Sequence, residues 1–571
     1  MGGIEKIRSM KKCIFSGLLI LAGLTFVFFK KPIPPKSEKK MNIVIILADD
    51  LGFSDVGCYG GEIHTPNIDY LASNGLRFSQ FYNISRCCPT RASLLTGLYN
   101  QQAGIGKMTD AEDEPGYRGH ITENAVTIAE VLKASGYHTA MSGKWHVSNT
   151  FGLKDPQQQL KWLDHQVYQP EFSPLSQYPT SRGFEKFFGT IWGVIDYYDP
   201  FSLVSGTTPI KEVPANYYHT DAINDTAASY VRQFAKSGKP FFLYIAENAP
   251  HWPLMALPED INKYKDVYKG GWDVIRKARY EKMIGLGIID STKAKLSPRW
   301  KSDLKWKDNP DKEWDARAMA VHAAMIDRMD QGIGRVIKAL KETGQLQNTL
   351  ILFLSDNGAS SELCADFGPG FDRPFETRAG KKIIYATRKQ SSPGPETTYS
   401  SIGPRWANVA NTPYRYWKAE SYEGGIHTPM IAFWPKGITA KRGSVTTQIG
   451  HVMDFMATFV DLTKAQYPTK FKGNLITPMQ GHSLAPAFRG KQSPGNVALY
   501  NEHFGARYVR YKDWKLVSIS SDSTWHLYYI KEDATELKDL SADYPEKVKQ
   551  LKLMWNNWAI RNKVLPKPKG K

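Results

Sequence analysis

The sequence predicts an α/β protein: a large, mostly parallel sheet sandwiched by helices, followed by a smaller C-terminal α+β domain with an antiparallel sheet. Three observations carry that prediction. The runs 42–48, 241–246 and 350–355 are apolar without alternation, as strands covered on both faces are. Helical patterns lie between them and stop at glycine: Asp221–Lys236 at Gly238, Asn124–Ser135 at Gly136 and Ala316–Glu342 at Gly344. Around residue 460 the texture changes to short strands over 498–504, 506–510 and 514–518, with a closing helix over 544–561. The expected organisation is an export signal and linker over 1–40, a catalytic domain over 41–460 and a C-terminal subdomain over 461–571.

The leader comes first. Lys6, Arg8, Lys11 and Lys12 precede an apolar run of 17 residues, Cys13 to Phe29, closed by Lys30 and Lys31. A basic flank before a long apolar stretch signals export. The run also sits at the short limit of a membrane span. It is expected to be cleaved or to remain as an N-terminal membrane anchor, leaving the protein periplasmic or associated with the cell envelope. The Pro- and Lys-rich stretch 31–40 reads as a linker. The net charge of +18 suggests nucleic acid, but twelve of those charges fall on the two ends, 1–40 and 561–571. The remaining body, near +6, suits an anionic substrate rather than a nucleic-acid partner. Five cysteines in 571 residues make no disulfide framework, and only Cys58 and Cys364 are placed for an ordinary bridge.

In a sheet of this kind ligands gather outside the carboxyl ends of the strands. Asp49-Asp50 follow the first strand, Asp356-Asn357 the strand ending at Ser355, and Glu247 to His251 the strand ending at Ala246. A weaker strand over 138–142 runs into Gly143-Lys144-Trp145-His146. Asp49, Asp50, Asp356 and Asn357 offer oxygen donors suited to a hard divalent cation, Ca²⁺ with Mg²⁺ as the alternative. Singly, such residues more often cap helices or make turns; the shared edge is what makes them a set. Arg91, Lys144, His146, His251 and Lys418 form a second, cationic set. It is fit to bind an oxyanion, offset developing charge and move protons near neutral pH. Asp55 and Asp69 read as structural. The segments 153–182 and 363–403 read as long loops beside the same edge.

The sharpest signal is Cys87-Cys88-Pro89-Thr90-Arg91 followed by Thr96-Gly97, which fits C-x-P-x-R-x-x-x-x-T-G. A buried cysteine pair at a helix start is the plain alternative. Register selects Cys87, because only from there do Pro and Arg fall third and fifth. The chain also carries Ala48 to Gly52, Gly143 to His146, Ala249 to His251, Asp356 to Gly358, Asn411 to Arg415 leading to Lys418, and Glu423 to Gly425. With these motifs in this order it resembles a type I, formylglycine-dependent sulfatase, bacterial arylsulfatase-like, of the alkaline phosphatase superfamily. The likeness runs over about 41–566.

That resemblance implies an alkaline phosphatase-like fold and a set of roles. Cys87 would be converted by a formylglycine-generating maturation enzyme to formylglycine (3-oxoalanine). Asp49, Asp50, Asp356 and Asn357 would hold Ca²⁺. The hydrated aldehyde, stabilised by Arg91, would attack sulfur; His251 with Lys144 would protonate the departing alcohol, His146 would help release sulfate, and Lys418 would grip it. Two departures stand out: Cys88 where Ser or Ala is common, and Thr90 in place of Ser. The expected substrate is a sulfated carbohydrate or another sulfate ester, with Glu502 and His503 as sugar contacts by analogy. Trp192 and Tyr197 are expected to pack in the core, with a stacking face as the alternative. The competing readings are a phosphonate or phosphate monoester hydrolase of the same superfamily and a sulfated-glycan binding protein without turnover.

Overall fold

The computed structural model describes residues 40–564 except 151, 165–170, 301–303, 371, 378, 386–389, 494 and 496. The leader, its apolar run with Cys13 and the last basic residues lie outside the described residues. Among the described residues no helix is long and apolar enough to cross a membrane.

The main sheet has ten strands: β1 (Asn42–Ala48), β2 (Leu76–Phe78), β3 (His138–Gly143), β4 (Lys186–Thr190), β5 (Leu203–Ser205), β6 (Thr208–Pro209), β7 (Phe241–Ala246), β8 (Thr349–Ser355), β9 (Met430–Phe433) and β10 (Ser444–Thr446). Their spatial order is β10-β2-β9-β8-β1-β7-β3-β4-β5-β6. The run from β8 to β4 is parallel throughout. Antiparallel pairing enters beyond it, where β9 lies against β8 and β2, and β5 against β4 and β6. The sheet is therefore mixed, with a parallel centre. Its unbroken apolar strands have the expected cause. Val44, Ile46 and Ala48 of β1 enter the core on one face, and Ile43, Ile45 and Leu47 the core on the other.

Five helices frame the argument: α1 (Cys87–Thr96), α2 (Ile128–Ala134), α3 (His219–Ala235), α4 (Lys312–Glu342) and α5 (Pro545–Arg561). Apolar residues of α3 and α4 join the first core, and those of α1 and α2 the second. Helix α2 is shorter than its pattern predicts. Thr127 and Glu130 form a capping box that starts it at Ile128, leaving 124–127 outside. The segment 153–182 is not all loop either: Asp155 accepts from the Gln157 N–H and caps a helix over Pro156–Leu163. Residues 363–403 are largely irregular, with short pairs of strand residues at Ile384–Tyr385 and Thr398–Tyr399.

A separate antiparallel sheet follows, β11 (Ala498–His503), β12 (Ala506–Tyr511), β13 (Trp514–Ser518) and β14 (His526–Tyr529), with α5 packed on it. Residue 460, where the sequence texture changes, lies inside the helix Asp454–Thr463. Lys515 of β13 sits fully buried, 2.7 Å from both Glu423 and Glu536, and fastens this sheet to the Glu423–Ile426 helical turn. Cys58, Cys87, Cys88 and Cys364 are all buried free thiols, so Cys58 and Cys364 are not bridged.

Candidate active site

The register brings four carboxyl ends together: Ala48 pairs with Ser355, Leu47 with Ala246, and Gly143 with Ala246. The residues that follow are held by backbone bonds at this edge. Asp49 N donates to Ala249 O, Lys144 N to Ala246 O, and Asp356 N to Ala48 O. Gly143 has φ +104°, and a Cβ there would lie 1.9 Å from Ala246 O, so glycine is required where β3 turns into Lys144.

The signature has a local physical logic. Cys87 opens α1 after an extended Arg86; Thr90 Oγ1 accepts from Ile84 N at 3.0 Å. Gly97 closes the helix in the left-handed region, its N–H donating to Ser93 O. Arg91 lies one turn beyond Cys87, on the same face. Asp50, Ser85 and His146 have positive φ, as do Tyr416 and Ala419 around Lys418. Such strained backbone is concentrated at functional sites.

The acids and cations interlock. Lys144 Nζ donates to Asp49 Oδ2 at 2.6 Å, and Arg91 Nη2 to Asp356 Oδ2 at 3.1 Å. Asn357 Nδ2 donates to Asp50 Oδ1 at 2.6 Å, and Lys418 Nζ to Asp50 Oδ2 at 2.9 Å. Burial opposes ionisation of Asp49, but Lys144, His251 and Arg91 hold it well below the usual carboxylate range. Burial, followed by repulsion from Asp49, pushes Asp356 well up. Asp49 Oδ1 and Asn357 Oδ1 are buried without hydrogen-bond partners. Three buried carboxylates crowded together with orphaned oxygens are what a hard cation would relieve, so this donor set fits Ca²⁺ or Mg²⁺.

On the other side stand the histidines. His251 Nδ1 lies 2.5 Å from Trp252 O, and a carbonyl only accepts, so the proton is on Nδ1. Its Nε2 is then free to accept from Lys418 Nζ at 3.0 Å. Burial, then the Lys418 charge, lowers the His251 pKa. Lys418 itself is held charged, against its burial, by Asp50 and Glu362. His146 Nε2 lies 3.2 Å from Cys88 Sγ, and burial lowers its pKa. The ring packs on Gly193, where a Cβ would come within 2.2 Å of His146 Cε1. The Cys87 thiol is held well below its ordinary value by the hydrogen bond from Cys88, then by Lys144 and His146.

Placement of the remaining predicted residues is uneven. Tyr197 OH donates to Asn248 O and His251 O, steadying the His251 turn. Trp192 is buried against Trp162, Phe172 and Phe201. Asp55 is paired with Arg279 and His322, and Asp69 accepts from Cys58 N. His503 feels the charges of Arg86, Cys87 and Lys418 after burial, which lowers its pKa to about 3 and keeps it neutral. Glu502 points elsewhere: its carboxylate accepts from Gly505 N at 2.9 Å and Tyr117 OH at 3.5 Å. Consecutive strand residues face opposite sides, so the two side chains meet different surroundings.

Sequence reading missed Glu362 and Arg86. Glu362 Oε1 is 2.9 Å from Arg86 Nη1, and its Oε2 accepts from Trp252 Nε1 at 2.8 Å and lies 3.5 Å from Lys418. The signal was weak: an acid five residues beyond Asn357 inside an irregular segment, and a lone arginine preceding the signature.

Known proteins resemble this chain over most of its length. A family model described as Sulfatase matches residues 41–465, and one described as N-sulphoglucosamine sulphohydrolase, C-terminal, matches 414–560. An uncharacterized sulfatase of Schizosaccharomyces pombe is 31 % identical over 93 % of this chain and 95 % of its own. An arylsulfatase of Klebsiella aerogenes is 31 % identical over 78 % of this chain and 92 % of its own. Among solved structures, Ps i-CgsB in complex with k-i-k-neocarrahexaose has a TM-score of 0.63 at 24 % identity, covering 93 % of this chain and 94 % of that one. At that identity the likeness speaks for the fold.

Proposed function

The chain belongs to the sulfatase family and is a sulfuric ester hydrolase, and from that premise we propose that it is an exported enzyme removing O-sulfate from a glycan, dependent on Ca²⁺ and on formylglycine made from Cys87. The observation that carries this reading is the convergence, at one sheet edge, of Cys87 with five cationic or imidazole side chains and four oxygen donors. Asp49, Asp50, Asp356 and Asn357 would hold the cation, which when bound offsets negative charge on the ester. Oxidised Cys87, as its hydrate, would supply the nucleophilic oxygen.

This chain's own residues do the rest. Arg91, fixed by Asp356 and by Tyr244 OH at 3.3 Å, presents its charge one helical turn from Cys87. Lys144 and Lys418 bracket the anion site, each already anchored by one aspartate. Lys418 directs an ammonium hydrogen at His251 Nε2; a proton passed from Nζ to Nε2 would leave Lys418 neutral and give His251 the proton that a departing alcohol takes from Nε2. His146, neutral and beside Cys87 and Cys88, can take a proton from the residue 87 hydroxyl. The basic leader with its apolar run supports export. The saccharide assignment is supported by relatives such as the N-acetylglucosamine-6-O-sulfatase of Bacteroides thetaiotaomicron.

The test is sulfate release from a panel of defined sulfated saccharides, an aryl sulfate and a phosphate monoester, using full-length chain coexpressed with a maturation enzyme. Mass analysis of the Cys87 peptide accompanies it. Turnover of a sulfated saccharide by protein carrying the aldehyde at Cys87 is expected. Faster phosphate than sulfate turnover, or full activity with an unchanged Cys87 thiol, overturns the reading.

A further inference from the structure

Cys88 is a fully buried thiol for which the proposed reaction has no use. It does not stand alone. The sulfur atoms of Cys87 and Cys88 and a ring nitrogen of His146 lie within 4.8 Å of one another, all three residues buried. Cys88 Sγ is 3.2 Å from His146 Nε2, and Met108 Sδ lies 3.9 Å from the same sulfur. The other ring nitrogen, His146 Nδ1, is buried with no hydrogen-bond partner. We propose that the chain with Cys87 unmodified binds one thiophilic metal ion of the Zn²⁺ class through Cys87, Cys88 and His146, a site separate from the oxygen-donor set.

The chemistry separates the two sites. Asp49, Asp50, Asp356 and Asn357 offer only oxygen, the preference of Ca²⁺ and Mg²⁺. The cysteine pair and imidazole offer sulfur and nitrogen, the preference of Zn²⁺ and other soft or borderline ions. The geometry is close to what such an ion needs. Bonds of about 2.3 Å to sulfur and about 2.0 Å to nitrogen, arranged tetrahedrally, place those ligand atoms roughly 3.5–3.8 Å apart. Cys88 Sγ and His146 Nε2, at 3.2 Å, lie slightly inside that range, and no pair of the three ligand atoms is more than 4.8 Å apart, so side-chain shifts of no more than about 1.3 Å complete the site. Met108, half-buried, stands at the rim as a soft neighbour. On binding, both thiols give up their protons, two thiolate–metal bonds form, and no electron transfer is involved.

Only the unmodified chain has the site, because an aldehyde at residue 87 removes one ligand. The consequence that metal-bound chain is closed to maturation rests on the function proposed above; the metal site itself does not.

The test uses full-length chain produced without a maturation enzyme, folded by far-ultraviolet circular dichroism, with Co²⁺ as the probe. One equivalent is expected to bind with a thiolate-to-cobalt charge-transfer absorption, and Zn²⁺ to displace it. A Co²⁺ ion on the oxygen-donor set gives no such band. C88S and H146A should each weaken the charge-transfer site by at least about tenfold, and matured protein should lack it. Absence of the band in folded chain, or a band unaltered in C88S or in H146A, overturns the proposal. Loss of sulfatase activity in matured protein, with the band intact in the unmodified chain, would count against the proposed function alone.

Discussion

Glu362 gives the most direct test of how the cation set is held. Its carboxylate is mostly buried; beside Ser360 Oγ, which donates to it at 3.3 Å, it faces three cationic or indole donors: Arg86 at 2.9 Å, Trp252 Nε1 at 2.8 Å and Lys418 at 3.5 Å. Glu362→Ala leaves all three short of an acceptor, although Lys418 keeps Asp50 at 2.9 Å and His251 at 3.0 Å. A hydrogen bond to a charged group is worth about 1.5–3 kcal/mol. At about 1.4 kcal/mol per tenfold, that corresponds to a fall in kcat/KM of roughly 10- to 150-fold. Glu362→Gln keeps the shape and an acceptor for Trp252 but not the charge, so an intermediate loss is expected. Steady-state kinetics on an aryl sulfate, with a thermal melt to check folding, reads both. The pH dependence has a definite sign. Burial works against ionised Glu362, but Arg86, Lys418 and His251 hold it well below its ordinary value of 4.5. Its stabilising contribution is therefore complete above pH 4.5 and is lost as pH falls from there through the lower folded value, so the stability gap between wild type and E362A, read from the melts, narrows only on the acid side. An E362A enzyme within about twofold of wild type, or an E362Q enzyme equal to it, refutes the argument that this charge holds the site.

Three further outcomes follow from the same structure. Chelation of the matured enzyme should abolish sulfate release and lower the melting temperature, both restored by Ca²⁺; N357A should need at least about tenfold more Ca²⁺, and an enzyme indifferent to chelator contradicts the oxygen-donor site. Lys515→Met removes the buried cation shared by Glu423 and Glu536, leaving Glu423 with Tyr82 OH and His427 and Glu536 with the Glu423 N–H, which should cost about 3–5 kcal/mol in urea denaturation; a loss below about 1 kcal/mol would show that Lys515 is not needed to fasten the C-terminal sheet. Glu247 is fully buried, with Oε2 unpartnered, and burial pushes its pKa from 4.5 up to about 8. The folded chain thus binds the extra proton, so stability should fall as pH rises from 4.5 to about 8. E247Q should flatten that slope in denaturant midpoints measured across the range, and an unchanged slope would rule Glu247 out as its source.

The sequence by itself determined the parallel centre of the sheet, because strands covered on both faces must be continuously apolar, and β1, β7 and β8 are. It also determined the order of polar residues at the strand ends, and which cysteine begins the signature, since only from Cys87 do Pro89 and Arg91 fall third and fifth. Local signals of that kind are legible because their causes lie within a few residues. What only the tertiary structure decided depends on contacts across hundreds of residues. Sequence alone made the sheet mostly parallel, as it is, but only the structure shows that β9 and β5 are the strands that turn antiparallel where the chain returns to it. The tautomer of His251 follows from Trp252 O and Lys418, and the charge on Lys418 from Asp50 and Glu362, pairings between distant residues that no sequence pattern marks. Glu502 and His503 stand side by side in the chain yet face apart in space, because a strand alternates its side chains. Cys88, a departure from a motif on paper, becomes the neighbour of His146 only when β3 and α1 meet at the sheet edge.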